Sequence, residues 1–523
     1  MKKMKKAALA AIMLAACITT SFLAATTSQA AEAEKTKEEK LAPLANKTAG
    51  VLTGTPQDSI VEANVEGATL EYFNNASDMQ LALESNKIDF FVLSTINYFG
   101  MADQYPDFAY IDQPLTSFDI GAIFPMNEDG DALRQQYNQY LAQLKENGEL
   151  ERLNTFWLID QDKEEIEIPT TGENGVLHMA TANTQIPFSY MYNEKNVGFD
   201  IAVAAGFCKE YGYGLDIENV EFAGAISGIA AGKYDFAASQ IAYTEERAES
   251  VYYSDFYTSQ EIVAIVKAEN FQDADLAVKD QDATKESNGI LASIKKTLVD
   301  ENRWMQILKG LEVTLIITFA GFILANILGA LVCAMAMSDS KILKFIAGLY
   351  SGLMQGLPIV VILMILYYVI FGHSRISNVL VAVVGFGFIF GAYMAQLFEG
   401  AIRSVDKGQW EAALAIGFTK RETFNGIILP QAIRTMVRGY FSQLISLMKG
   451  TAVVGYIAIT DLTKVGDIIR SNTYEAIVPL VTIALIYLVM AALMIFIMHL
   501  ISQALLPKRL RDKAKVNNKR EGK

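Results

Sequence analysis

The C-terminal portion of the chain leaves little choice of environment. From Gly310 onward, apolar stretches recur at about 310–337, 355–372, 377–398, 439–458 and 476–505. Each is about as long as, or longer than, the roughly 20 residues that a helix needs to cross a bilayer, so five membrane spans are expected. If residues 31–300 lie outside, the connections alternate in charge. Lys341 and Lys344 follow the first span, Arg403, Lys407, Lys420, Arg421, Arg434 and Arg438 follow the third, and a basic tail, 508–523, follows the fifth. The outer connection after the second span has only Arg375. Basic residues collect on the cytoplasmic side of a membrane protein. The expected topology is therefore a multi-pass plasma-membrane protein with an external N-terminal portion and a cytoplasmic C-terminus.

The net charge of −14 divides unevenly: +4 over residues 1–30, −28 over 31–300 and +10 over 301–523. An acidic soluble region thus precedes a basic membrane region. The basic residues flank apolar spans instead of forming a stripe on a soluble face, so no nucleic-acid partner is expected. Residues 1–30 combine a Lys-rich start, an apolar run and the small-residue site Ser28-Gln29-Ala30, the pattern of an export signal. A competing reading is lipidation of Cys17, which follows Leu14-Ala15-Ala16. Cys208 falls in a predicted helix and Cys333 in a span, which offers no disulfide framework. His178, His373 and His499 are scattered, so no metal site is expected.

One cytoplasmic segment is unusually ordered for a connection. EAALAIGFTKRETFNGIILPQA, from Glu411 to Ala432, begins as a short helix whose small Ala412 and Ala413 permit close approach of another surface. Glu411 is placed near the helix N-terminus, where a carboxylate is favoured. Gly417 allows the helix to end, and Leu429-Pro430 opens the next element. The stretch most like a phosphate loop, Gly228 to Tyr234, lacks the glycine spacing and the Ser/Thr that would bind Mg²⁺. It reads as a helix end followed by a strand. No catalytic residues and no cofactor are expected on this chain.

This segment resembles the EAA loop of ABC-type import permeases. Its surroundings, Tyr393-Met394-Ala395, Gly400-Ala401-Ile402, Gly408-Gln409-Trp410 and Leu429-Pro430-Gln431-Ala432, are similar to the polar amino acid uptake family over residues 305–507. The resemblance implies a coupling helix, with Glu411, Ala412, Ala413, Gly417, Leu429 and Pro430 as its defining positions. It would dock on a separate cytoplasmic ATPase dimer that carries ATP and Mg. It also implies two copies of the chain around one translocation path. The family usually has Glu and Arg where Gln396 and Glu399 stand here, and Arg-Gly-Thr-Pro where Gln355-Gly356-Leu357-Pro358 stands.

Residues 174–268 alternate strand and helix signals. Ile186-Pro187-Phe188-Ser189-Tyr190, Gly198-Phe199-Asp200, Gly232-Lys233-Tyr234-Asp235 and Thr244-Glu245-Glu246-Arg247 resemble the first lobe of periplasmic amino-acid-binding proteins. Residues 45–160 resemble the second lobe. The expected fold is an α/β bilobed domain in permuted lobe order, joined through the acidic stretch 161–175. A linker and membrane-approach helix at 269–309 lead to an all-α permease domain, 310–507. A rival reading is a decayed second lobe beside a lone first lobe. The resemblance assigns Arg247 to a ligand carboxylate, assisted by backbone N–H groups around Thr53, Gly54 and Thr55. Phe188 and Tyr190 would sandwich the ligand side chain, and Ser239 and Ile241 would offer main-chain contacts. The acids that usually hold an α-ammonium group are replaced by Ala182 and Ser94. The expected ligand is a polar amino acid, with a non-amine small anion as the alternative. A tethered sensor or a ligand-gated channel is a further reading, since a bilobed binding domain on membrane spans is similar to channels of the glutamate-receptor type, and Thr451-Ala452-Val453-Val454-Gly455-Tyr456 resembles a potassium filter. Against it, Ile457 follows where a Gly belongs, and the segment is expected within a continuous helix.

Overall fold

The computed structural model describes residues 36–279, 290–372, 376–475 and 477–505. The export signal, Cys17 and the basic tail lie outside the described residues.

The soluble region is built on two main sheets, with a further three-stranded one of Lys195–Val197, Ser189–Tyr192 and Thr184–Gln185. The larger has the order Leu276–Ala277, Phe108–Ile111, Thr258–Lys267, Phe90–Ser94, Thr48–Leu52, Thr69–Phe73, with Thr116–Ile120 also paired to Thr258–Lys267. Phe90–Ser94 and Thr69–Phe73 run parallel to Thr48–Leu52, whereas Thr258–Lys267 runs antiparallel to its neighbours. Phe90–Ser94 is buried throughout, as befits a strand covered on both faces. One face packs Val51, Phe90 and Ile111, the other Met79, Phe91 and Tyr98. The smaller sheet has the order Gly214–Asn219, Val176–Thr181, Phe236–Ala237, Ile123–Pro125, Val251–Tyr253.

Two neighbouring strands of chain connect the sheets, one at Ile120 to Ala122 and the other at Ser254 to Tyr257. They are hydrogen-bonded to each other: Ser254 N–H donates to Ala122 O at 2.8 Å, and Tyr257 N–H to Ile120 O at 3.2 Å. Lobe A therefore comprises residues 36–120 and 258–279, and lobe B residues 122–257. This division differs from the one expected at 160 and 174. Helix Glu128–Glu146 and the turns that follow bury Tyr137, Leu141, Leu144 and Trp157 in the core of lobe B with Phe199 and Phe207. Tyr137 meets Phe207 edge-to-face at 5.0 Å. That large aromatic contact holds the helix on the lobe that follows it in sequence.

In the membrane region, Arg303–Met337, Asn378–Arg403 and Ile477–Leu505 are the helices long and apolar enough to cross a bilayer among the described residues. The first two lie along each other at glycine contacts. A Cβ on Gly329 would come within 2.5 Å of Met394 Cβ, and one on Gly387 within 2.5 Å of Leu324; such small residues let membrane helices pack closely. The expected span 355–372 is instead half of a bent pair. Lys341–Gly356 meets Ile359–Ile370 at 106° around Leu357-Pro358, because proline cannot continue the helical hydrogen-bond ladder. The expected span at 439–458 also begins earlier. Helix Leu429–Gly450 runs into a tighter turn, Thr451–Ile457, which breaks at Ala458 with φ +58°. The filter-like sequence thus lies within a helical run, as expected, in a tighter 3₁₀ stretch that continues Leu429–Gly450 and ends at Ala458.

Candidate functional site

The lobes face each other across a polar cleft. At its base is a cavity of about 70 Å³ lined by Thr55, Ser94, Asn97, Gln185, Gln240, Arg247 and Gln260, among others. Each polar side chain is set by an element end. Ser94 caps the helix Thr95–Met101 and donates to Asn97 Oδ1 at 2.6 Å. Asn97 Nδ2 then donates to Ile186 O of lobe B at 2.6 Å. Gln240 Nε2 donates to Asn97 Oδ1 at 3.0 Å and to Gln260 Oε1 at 2.7 Å. Gln240 itself sits at φ +55°, held because its N–H donates to Asp200 Oδ2 at 2.7 Å. Tyr257 OH donates to the other oxygen, Oδ1, at 2.7 Å. Burial pushes the Asp200 carboxyl up to about 6, while these hydrogen bonds oppose the shift.

Arg247 stands at the rim. Thr244 caps its short helix, and the guanidinium donates to Ala242 O of lobe B and to Gly54 O of lobe A, both at 3.0 Å. It spans the cleft over the ring of Phe222. A planar guanidinium with donors aimed at two lobes suits a carboxylate placed between them. Among the described residues lining the lower cavity, Arg247 is the charged side chain and no carboxylate is present. Gln260 is buried, and its Nε2 has no partner, so the cleft holds an amide donor awaiting an acceptor.

Other expected positions serve different ends. Phe188 and Tyr190 do not face the cleft; both are buried in lobe B, against Phe199 and Trp157. An aromatic pair in an -FSY- stretch satisfies core packing as well as a ligand sandwich, and the core has taken it. Thr53 N–H donates to Phe73 O and Thr55 N–H to Leu52 O, so these two amides are engaged within lobe A. Ser239 and Ala182 exchange hydrogen bonds at 3.0 and 3.2 Å. Ile241 is buried, and its carbonyl accepts from Gly121 N–H. The amides at Asn97, Gln185, Gln240 and Gln260 went unread in the sequence. The signal available was their recurrence beside strand ends, notably Ser94-x-x-Asn97.

The segment 406–430 has the compact form expected, with one change. Asp406 caps the helix Lys407–Ala415, so Glu411 lies in its middle and not at its N-terminus. Gly417 adopts φ +95°, and the N–H groups of Gly417 and Phe418 return to Leu414 O and Ala413 O, a glycine-type helix end. Thr419 and Glu422 form a reciprocal capping box, and Pro430 opens the helix from Leu429. Ala413 is buried, whereas Glu411, Ala412, Leu414, Ile416 and Phe418 are exposed. Gly228 to Tyr234 is a helix end and turn before the strand Phe236–Ala237, as read from its residues.

Comparison with known proteins agrees with both halves. Residues 313–509 match the family described as binding-protein-dependent transport system inner membrane component, and residues 177–307 match bacterial extracellular solute-binding proteins, family 3. A probable amino-acid ABC transporter permease protein, YckA of Bacillus subtilis, is 36% identical over 185 residues, covering 35% of this chain and 80% of its own. The L-cystine transport system permease protein TcyB of the same organism is 30% identical over 210 residues, covering 40% and 90%. A solved amino acid ABC transporter chain is 29% identical, with a TM-score of 0.38, covering 42% of this chain and all of that one. The chain belongs to the binding-protein-dependent transport system inner membrane components, as an ABC importer permease carrying a solute-binding domain on the same polypeptide.

Proposed function

We propose that this chain is the receptor and permease of an ATP-driven importer of polar amino acids. The observation that carries the reading is the union, on one chain, of a cross-lobe arginine cleft with an exposed, glycine-ended coupling segment. The ligand's α-carboxylate takes the place of Gly54 O and Ala242 O on Arg247, and its polar side chain meets the amides of Asn97, Gln185, Gln240 and Gln260. The names of the related permeases, for amino acids and for L-cystine, support the same class. A separate ATPase dimer with ATP and Mg docks against Leu414, Ile416 and Phe418 around Glu411, Ala412, Ala413 and Gly417. Two copies of the chain enclose the path, each crossing the plasma membrane five times with the lobes outside and the coupling segment inside. The lobes form one domain in permuted order, a reading supported by the match to the solute-binding family over residues 177–307, which begins only after the lobe A strands Thr48–Leu52 to Thr116–Ile120.

One observation favours a second reading. Without a carboxylate in the lower cavity, an ammonium group has no counter-charge there, and a small non-amine anion fits that chemistry. The deciding experiment purifies the chain with its ATPase in proteoliposomes and follows uptake of L-glutamine beside simple organic anions. ATP-dependent accumulation of the amino acid is expected. Uptake of the anions alone moves the assignment to them, and uptake without any ATPase removes the importer reading altogether.

A further inference from the structure

The helix Leu462–Thr473 connects two membrane helices, yet it does not lie on the membrane region alone. Its base is fixed there: Leu462 N–H donates to Thr314 Oγ1 at 3.1 Å, and Tyr487 OH donates to the buried Asp461 carboxylate at 3.3 Å. Its far end enters the mouth of the ligand cleft. Ser471 and Tyr474 line a second cavity of about 50 Å³ together with Thr53 and Asn75 of lobe A and Gln185 and Phe222 of lobe B.

The helix is tied to each lobe by its own ion pair. Lys464 Nζ meets Glu221 Oε1 of lobe B at 2.6 Å, and Arg470 pairs with Asp78 of lobe A. Both cationic side chains are buried, with 6% and 7% of their surface exposed. Hydrogen bonds repeat the division. Asn472 Nδ2 donates to Met191 O of lobe B at 2.9 Å, and Tyr105 OH of lobe A donates to Tyr474 O at 2.9 Å. The chain turns sharply at Tyr474, φ +55°, which lays its ring on lobe A. A Cβ on Gly100 would stand only 2.6 Å from the Tyr474 hydroxyl.

We propose that the permease supplies the third wall of the ligand cleft: Ser471 and Tyr474 close its mouth, held there by one ion pair to each lobe. Resting on the importer reading, this makes ligand choice a joint property of the receptor and the permease. A ligand side chain reaching beyond Gln185 meets Tyr474, a membrane-domain residue. The lobes cannot separate fully without breaking the Lys464 or the Arg470 pair, so opening of the cleft is coupled to a helix packed on two membrane helices.

The test is the accessibility of a cysteine placed inside the cleft. Gln185→Cys is introduced into the full chain, and its reaction with a polar maleimide is timed. Cys208, buried in lobe B, reports unfolding by its own reaction. With the helix in place, Cys at 185 reacts slowly. Tyr474→Ala, or Lys464→Met with Arg470→Met, is expected to raise its rate on the order of tenfold or more, as local opening governs access. Unchanged rates in both overturn the proposal. If the double Met variant labels at Cys208 and so has unfolded, the exchanged pair Lys464→Glu with Glu221→Lys decides. A slow rate restored from the fast single Lys464→Glu supports the wall, and a fast rate in the exchanged pair overturns it. Ligand binding is read separately, by calorimetry of the parent full chain, with Gln185 intact, against L-glutamine and other common L-amino acids. Absence of binding there with the labelling pattern intact removes the amino acid reading and leaves the third wall standing.

Discussion

Arg247 and Asp200 act at the scale of single groups, one at the rim of the cleft and one behind it. Arg247 already satisfies two carbonyls, one per lobe, so a ligand carboxylate must exchange for them. A hydrogen bond to a charged group is worth about 1.5–3 kcal/mol. Arg247→Ala should therefore weaken ligand binding by about 10- to 100-fold by calorimetry. Arg247→Lys should recover little of it, since a point charge cannot reach both lobes at once. Asp200 supplies a pH signature. Its carboxyl is raised by burial to about 6, above the roughly 3.9 of an unfolded Asp. The folded state thus holds this proton more tightly. The contribution to stability is complete below about pH 4 and is lost as pH rises through 6, by roughly 3 kcal/mol. Denaturation of the full chain followed by the fluorescence of buried Trp157 should show this decline, and Asp200→Asn should flatten it. An Asp200→Asn chain with the same pH slope as its parent would refute the assignment. The cleft amides were hard to see in the sequence for a related reason. A Gln at a strand end looks like any surface Gln until the other lobe is placed opposite, whereas Phe188 and Tyr190 look like ligand contacts until the core is known to need them.

Elements with local causes were the most legible. The coupling segment could be read because its stops are chemical: Gly417 takes a left-handed φ, Thr419 with Glu422 caps a turn, and Pro430 starts a helix. Only the cap at Asp406, five residues before Glu411, displaced Glu411 from the place assigned to it. Gly417→Val should cost about 1–2 kcal/mol at a left-handed position and unseat Leu414, Ile416 and Phe418 together. The expected result is loss of ATPase co-purification while ligand binding, measured on the same sample, persists. Retention of the ATPase would show that this end of the helix is not part of the contact. Membrane spans were less legible than their hydropathy suggests. An apolar run reports its solvent but not its path: hydropathy alone carried the span 355–372 straight through Pro358, the residue that bends it by 106°, and nothing in the composition marks the break at Ala458.

For the molecule as a whole, lobe membership depends on contacts between distant residues. Helix Glu128–Glu146 follows the first crossing between the lobes and was expected with the strands before it, and the fit of Tyr137 and Leu141 against Phe207 and Phe199 settles its side. The same holds at the junction with the membrane. Glu218 of lobe B accepts hydrogen bonds from Tyr234, Tyr367 and Asn378, so lobe B is held to the permease by a shared carboxylate as well as by the Lys464 pair. Glu218→Ala should loosen that joint without touching the cleft. ATP-dependent uptake is expected to fall several-fold while affinity for ligand stays near the parent value; a loss of affinity instead would place Glu218 in ligand recognition.

The paired charges on Leu462–Thr473 also bear on how such a transporter can diversify. On the proposed third wall, a permease whose helix carries Lys464 and Arg470 already matched to acids of its own chain is engaged by its own receptor before one made by another gene. Its range of cargo is then set by one locus, and a new preference must arise by changes in cleft and helix together, inherited as a unit.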